Sequence, residues 1–117
     1  MADSTKMNYI ELPCMDFAKA QYFYEAAFGW TFVPYGEDYL AFNDSAMDGG
    51  FYKAQMQCRQ ENGSALVVLY SPTLEAIRDK VVSCGGQIHK DIFSFPGGRR
   101  FHFLDPHGNE LAIWSDN

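Results

Sequence analysis

The sequence is written twice. A short strand segment, a helix closing on glycine and a run of hairpin strands begin near Asn8, and the same programme begins again near Ala65. Setting the helix-ending Gly29 against Gly86 also brings Tyr9 onto Leu66, Glu11 onto Val68 and Phe17 onto Leu74, so three separate elements share one spacing. Further along, Tyr39–Asp44 falls on Arg100–Asp105 once a few loop residues are allowed for, and loops are where insertions are tolerated. The chain thus divides into repeat one, about 8–57, and repeat two, about 65–114.

Each repeat can be read element by element. Asn8–Leu12 is a strand expected to stop at Pro13, which lacks a ladder donor. From Asp16 to Phe28, Phe17, Ala20, Tyr24, Ala27 and Phe28 recur at three- and four-residue steps, predicting a helix that Gly29 ends in the left-handed conformation. Thr31–Tyr35, Asp38–Asn43 and Gly50–Gln57 follow as antiparallel strands. In the second half, Ala65–Tyr70 reads as a strand, Thr73 as a helix cap and Gly85-Gly86 as the stop. Gln87–Lys90, Arg99–Leu104 and Glu110–Trp114 complete the set, and Asp105-Pro106-His107-Gly108-Asn109 is a reverse turn joining the last two strands.

Composition narrows the function. With 47% hydrophobic residues among 117, the chain can bury a full core as one domain. Nine basic against 15 acidic residues give a charge of −6, which disfavours nucleic acid and anionic membrane and favours neutral or cationic ligands. No apolar run approaches the roughly 20 residues of a membrane span, and the polar lead-in Met1–Lys6 has no signal-peptide core, so a cytoplasmic location is expected. Cys14, Cys58 and Cys84 are odd in number and lack CxxC spacing, which argues against a disulfide framework or structural zinc.

Tyr9-Ile10-Glu11-Leu12-Pro13, the segment Phe23-Tyr24-Glu25-Ala26-Ala27-Phe28-Gly29-Trp30, the pair Gly85-Gly86 and Asp105-Pro106-His107-Gly108-Asn109 carry a resemblance. Together they resemble the vicinal oxygen chelate superfamily of glyoxalases, bleomycin resistance proteins and extradiol dioxygenases. The resemblance implies an α+β fold: tandem βαβββ repeats forming a curved mixed sheet with a concave pocket, often completed in a homodimer. It also implies metal ligands, usually His, Glu or Gln, on the first and last strands of each half. Here those positions fall on Tyr9, Leu66, Phe51 or Tyr52, and Ala112, a set unsuited to a divalent ion. No metal or other cofactor is therefore expected.

Alternation along the strands then nominates side chains for the pocket. Glu11 shares a face with Tyr9, and a carboxylate enclosed among apolar groups would have a raised pKa and serve as a proton shuttle or an amine anchor; hydrogen bonding to a neighbouring strand is the structural alternative. If Phe101 and Phe103 pack under the helix, Arg100 and His102 face the cavity, and His102 becomes the general-base candidate, unless it is a hydrogen-bonded filler. Tyr9, Phe51, Tyr70 and Trp114, with Trp30 as a further member, would form an aromatic lining suited to flat or cationic ligands, although the same aromatics would also serve an ordinary core.

The first expectation is a metal-free protein that binds a small apolar or aromatic molecule, cationic ones included, through Tyr9, Glu11, Phe51, Tyr70, Arg100, His102 and Trp114. The alternative is a glyoxalase-like lyase, isomerase or dioxygenase in which Glu11 and His102 transfer protons, with or without a divalent metal. The two are separated by whether Glu11 and His102 reach one cavity point. A third expectation is an interaction module whose concave sheet is filled by its own side chains.

Overall fold

The computed structural model describes residues 5–117, so most of the lead-in Met1–Lys6 lies outside the described residues. Strand β1 (Tyr9–Cys14), helix α1 (Phe17–Phe28) and strands β2 (Thr31–Pro34), β3 (Tyr39–Asn43) and β4 (Asp48–Lys53) form the first unit. After a single 3₁₀ turn at Gln60–Asn62, β5 (Val67–Tyr70), α2 (Leu74–Ser83), β6 (Gln87–Phe95), β7 (Gly98–Leu104) and β8 (Glu110–Ser115) form the second. The sheet orders are β1-β4-β3-β2 and β5-β8-β7-β6. In each sheet the opening strand pairs in parallel with the closing one, and the hairpin strands run antiparallel. This is the expected α+β tandem βαβββ fold.

Helix α1 forms for the reasons its sequence offers. Asp16 caps it by accepting a hydrogen bond from the Lys19 amide at 3.1 Å, and Gly29 closes it at φ 75° with its amide bonded to the Glu25 carbonyl. Ala20, Phe23, Tyr24 and Ala27, spaced at one helical stripe, are buried. Helix α2 departs from expectation at its start and stops at the expected glycine pair. Thr73 makes no side-chain cap; its own amide is instead received by Ser71 Oγ. The positive φ falls on Gly85, while Gly86 is glycine because a β-carbon there would come within 2.7 Å of Val81 and 2.9 Å of Phe23.

Several strand boundaries also move. β1 runs through Pro13 to Cys14, because β1 is an edge strand and the Pro13 carbonyl turns away from β4 to the Asn109 side chain, so the ladder misses no donor. β4 ends at Lys53, not Gln57: the Gln57 side chain bonds the His107 carbonyl in the linker. β6 runs on to Phe95 through two register shifts, and those bulges break the alternation that would have announced it.

One core serves both units. Phe23 and Phe28 of α1 each pack 5.9 Å from Phe103 of β7, and Leu12, Phe42 and Phe51 of the first sheet share a buried cluster with Phe101, Leu111 and Ile113 of the second. The turn after β7 ties the units covalently distant but spatially close. Asp105 accepts from Tyr24 Oη at 2.7 Å and from the amides of His107, Gly108 and Asn109, while Asn109 accepts from the Cys58 amide and donates to the Pro13 carbonyl. Burial pushes the Asp105 carboxyl up, against the pull of these donors. Because the apolar faces meet in the middle, the opposite face of each sheet looks outward.

Candidate functional site

The outer face of the first sheet carries Tyr9 and Glu11 on β1, Gly50 and Tyr52 on β4, and Tyr39 and Ala41 on β3, brought together by the registers Glu11↔Gly50↔Ala41 and Tyr52↔Tyr39. The Tyr39 ring lies across Gly50, where any β-carbon would overlap its hydroxyl. From there it donates to Glu11 Oε2 at 2.8 Å and meets the Tyr9 hydroxyl at 2.6 Å. Burial, then the bonds to Tyr9 and Glu11, hold the Tyr39 phenol well above its ordinary range, so it remains a proton donor. Glu11 itself is exposed, not enclosed in apolar surroundings as the sequence led one to expect.

The outer face of the second sheet is a row of rings around an arginine. Tyr70 meets Trp114 edge-on at 5.0 Å, Trp114 meets Phe95 at 6.2 Å, and the Arg100 guanidinium sits over Phe95 and Phe93 at 5.8 and 5.3 Å. Phe93 in turn lies 5.8 Å from His102. His102 is fully enclosed, its Nδ1 bonded at 2.7 Å to Glu110 Oε2, while the other Glu110 oxygen accepts from the Gln60 amide. Burial, with Arg100 and Lys90 nearby, holds the His102 imidazole below its usual value in spite of Glu110. The neutral ring therefore donates from Nδ1, and its buried Nε2 has no partner.

The nominated residues thus separate. Tyr9 and Glu11 stand together on one sheet, and Tyr70, Arg100, His102 and Trp114 on the other. Phe51 belongs to neither lining. It is fully buried on the inward face, 5.5 Å from Tyr24 and 5.1 Å from Phe42, because the register puts Gly50, not Phe51, opposite Ala41 on the outside. Trp30 is likewise stacked into the core against Tyr24 at 4.5 Å. Tyr70 and Trp30 are the nominated residues that border two surface clefts. One of 420 Å³ is lined by Phe28, Trp30, Asp44, Tyr70 and Ile77, another of 200 Å³ by Ile10, Phe42, Met47 and Val67, and neither touches Glu11 or His102.

Three participants escaped the sequence reading: Tyr39, Gly50 and Glu110. The signal for Tyr39 was present, since the repeat sets it on Arg100, and Glu110 shares its alternation with Ala112 and Trp114. Gly50 needed the register. It also corrects the metal positions, which become Tyr9, Leu66, Gly50 and Ala112. Two of these have no donor atom, one a bare backbone, and the fourth a phenol already engaged with Tyr39, so the residues present do not fit a divalent ion. Among the described residues no three His, Cys, Asp or Glu side chains converge. Cys14 offers no nucleophile either, its buried thiol being pushed up to about 12.

The sequence model of the Glyoxalase/Bleomycin resistance protein/Dioxygenase superfamily matches residues 6–113. The chain belongs to that superfamily. No curated protein sequence matches it. Among solved structures, a mutant of the genomically encoded fosfomycin resistance protein FosX from Listeria monocytogenes, complexed with Mn(II) and a dihydroxypropylphosphonic acid, superposes with a TM-score of 0.80 at 13% identity over 98% of this chain and 93% of that one. A glyoxalase/bleomycin resistance protein/dioxygenase family enzyme from Burkholderia phytofirmans gives 0.78 at 13% identity over 94% and 98%. A glyoxalase-related enzyme from Fulvimarina pelagi gives 0.72 at 20% identity over 96% and 88%. At these identities the superfamily member shares the fold of its neighbours, and its chemistry rests on its own residues.

Proposed function

We propose that this chain is a cytoplasmic, metal-free small-molecule-binding protein whose pocket is completed in a homodimer, the outer face of the first sheet of one copy closing against the outer face of the second sheet of the other. The observation that carries this reading is the pair of outward faces. Each presents large aromatic side chains to solvent, with Tyr9 at 47% and Tyr70 at 50% exposure, and each holds polar groups in fixed geometry. Exposed aromatic faces rimmed with polar groups are how interaction and ligand sites present themselves. A flat, largely apolar ligand held between Tyr9 and Tyr39 on one side and Trp114 and Tyr70 on the other suits that lining.

The proton-transfer alternative finds less support. His102 is fully enclosed, and its Nδ1 is already engaged by Glu110, so neither ring nitrogen is open to a ligand. Light scattering on a size-exclusion column, together with quenching of tryptophan fluorescence by a panel of planar aromatic compounds, tests the proposal. A dimer whose quenching saturates, and is weakened by Trp114→Phe, is expected. A monomer that quenches with none of the panel would reject it.

A further inference from the structure

The hydrogen-bond directions on the first sheet are fixed by one carboxylate. An ionised Glu11 can only accept, so the single Tyr39 proton goes to Glu11 Oε2, and the Tyr9 proton must then go to the Tyr39 oxygen. Both phenolic protons are consumed inside the chain Tyr9→Tyr39→Glu11. What remains on the solvent side is a lone pair on the Tyr9 oxygen and the second carboxylate oxygen of Glu11, both of them acceptors. No Lys or Arg among the described residues forms an ion pair with Glu11. The equivalent position in the second repeat is Val68, and the equivalent of Tyr39 is Arg100, a cation already spread over two rings.

We infer that this triad is the recognition element for an organic ammonium group, so that the ligand class is a flat aromatic carrying a primary or secondary amine, and that Tyr39 is a specificity-determining residue that aims Glu11. The inference rests on the pocket reading above and names its ligand. An ammonium supplies several donors and the complementary charge to a triad that offers only acceptors, and the phenol rings of Tyr9 and Tyr39 add cation–π attraction. A carboxylate ligand meets repulsion at the triad itself. A hydroxyl ligand can satisfy one acceptor without the charge. Gly50 is part of the element, since the Tyr39 ring occupies the space of its missing side chain.

Three probes of one shape test this: naphthylmethylamine, naphthylmethanol and naphthoate, each titrated by NMR against the intact protein at neutral pH and low salt. The amine is expected to bind roughly tenfold more tightly than the alcohol, the difference between a charged and a neutral hydrogen bond, and naphthoate most weakly. Glu11→Gln should bring amine and alcohol within about twofold of each other, the amine losing the larger share of its affinity. Tyr39→Phe should remove a large part of the amine preference with Glu11 still present. Equal binding of amine and alcohol, or an amine preference that survives Glu11→Gln, overturns the ammonium assignment and leaves the pocket standing. Failure of all three probes to bind overturns the pocket itself. Both substituted side chains are partly exposed, and an unchanged melting temperature confirms that the variants are folded.

Discussion

Phe51 and Gly50 are neighbours with opposite duties, and one residue of register separates them. Alternation makes adjacent strand residues face opposite ways, so an uncertainty of a single position between the two repeats exchanges a core side chain for a site side chain. Phe51 is fully buried among Tyr24 and Phe42, so Phe51→Ala should cost about 3–5 kcal/mol in urea denaturation. Trp114→Ala, at a half-buried position on the outer face, should cost less than half of that. Equal losses would show that the inward and outward faces are assigned the wrong way round. Glu11, Tyr9 and Trp114 were legible because they lie on strands with clear alternation; Tyr39 was passed over because nothing local distinguishes a tyrosine that reaches across a sheet from one that points to water.

The elements were read well where a local signal ends them. Gly29 is an example: the helix stop depends on a positive φ that a β-branched residue resists, and Gly29→Val should destabilise the fold by roughly 1 kcal/mol or more, measured as a lowered urea midpoint. The turn Asp105–Asn109 was legible as a turn but not as a fastening. Its Asn109 side chain serves the Cys58 amide and the Pro13 carbonyl, 51 and 96 residues away. Asn109→Ala leaves both buried groups without that partner, at about 1–3 kcal/mol each, so a loss of about 2 kcal/mol or more is expected. A loss below half a unit, roughly what a surface substitution gives, would mean that water replaces the side chain.

The molecule as a unit should be sensitive to mild acid. His102 is held below its ordinary value of 6.5 by burial, by Arg100 and by Lys90, against the opposing pull of Glu110. The unfolded chain therefore takes up a proton that the folded one refuses, so stability is full above about 6.5 and falls as the pH drops toward the depressed folded value. Glu110 is itself held below 4.5, net of burial, by His102 and the Gln60 amide, which extends the loss to lower pH; Asp105, raised by burial, acts in the opposite sense there. Urea midpoints measured across this range should decline for the native protein and flatten for His102→Asn, which keeps a donor for Glu110. An identical slope in both would remove His102 from the account.

The amino-acid sequence determined the duplication, the two helices with their stops, the α+β class and the membership of a superfamily, because each of these is written in local periodicity or in a turn whose chemistry is contained in a few adjacent residues. It also placed Tyr9 with Glu11 on one face and Arg100 with His102 on one face, since alternation is a local rule. That the two outer faces would turn away from each other followed from the packing of α1 onto Phe103 and from the Asn109 and Asp105 fastenings. The Tyr9–Tyr39–Glu11 chain and the His102–Glu110 pair were decided in the same way, because side chains 28 and 30 residues apart, or on facing strands, meet only when register and sheet twist are fixed by the whole core.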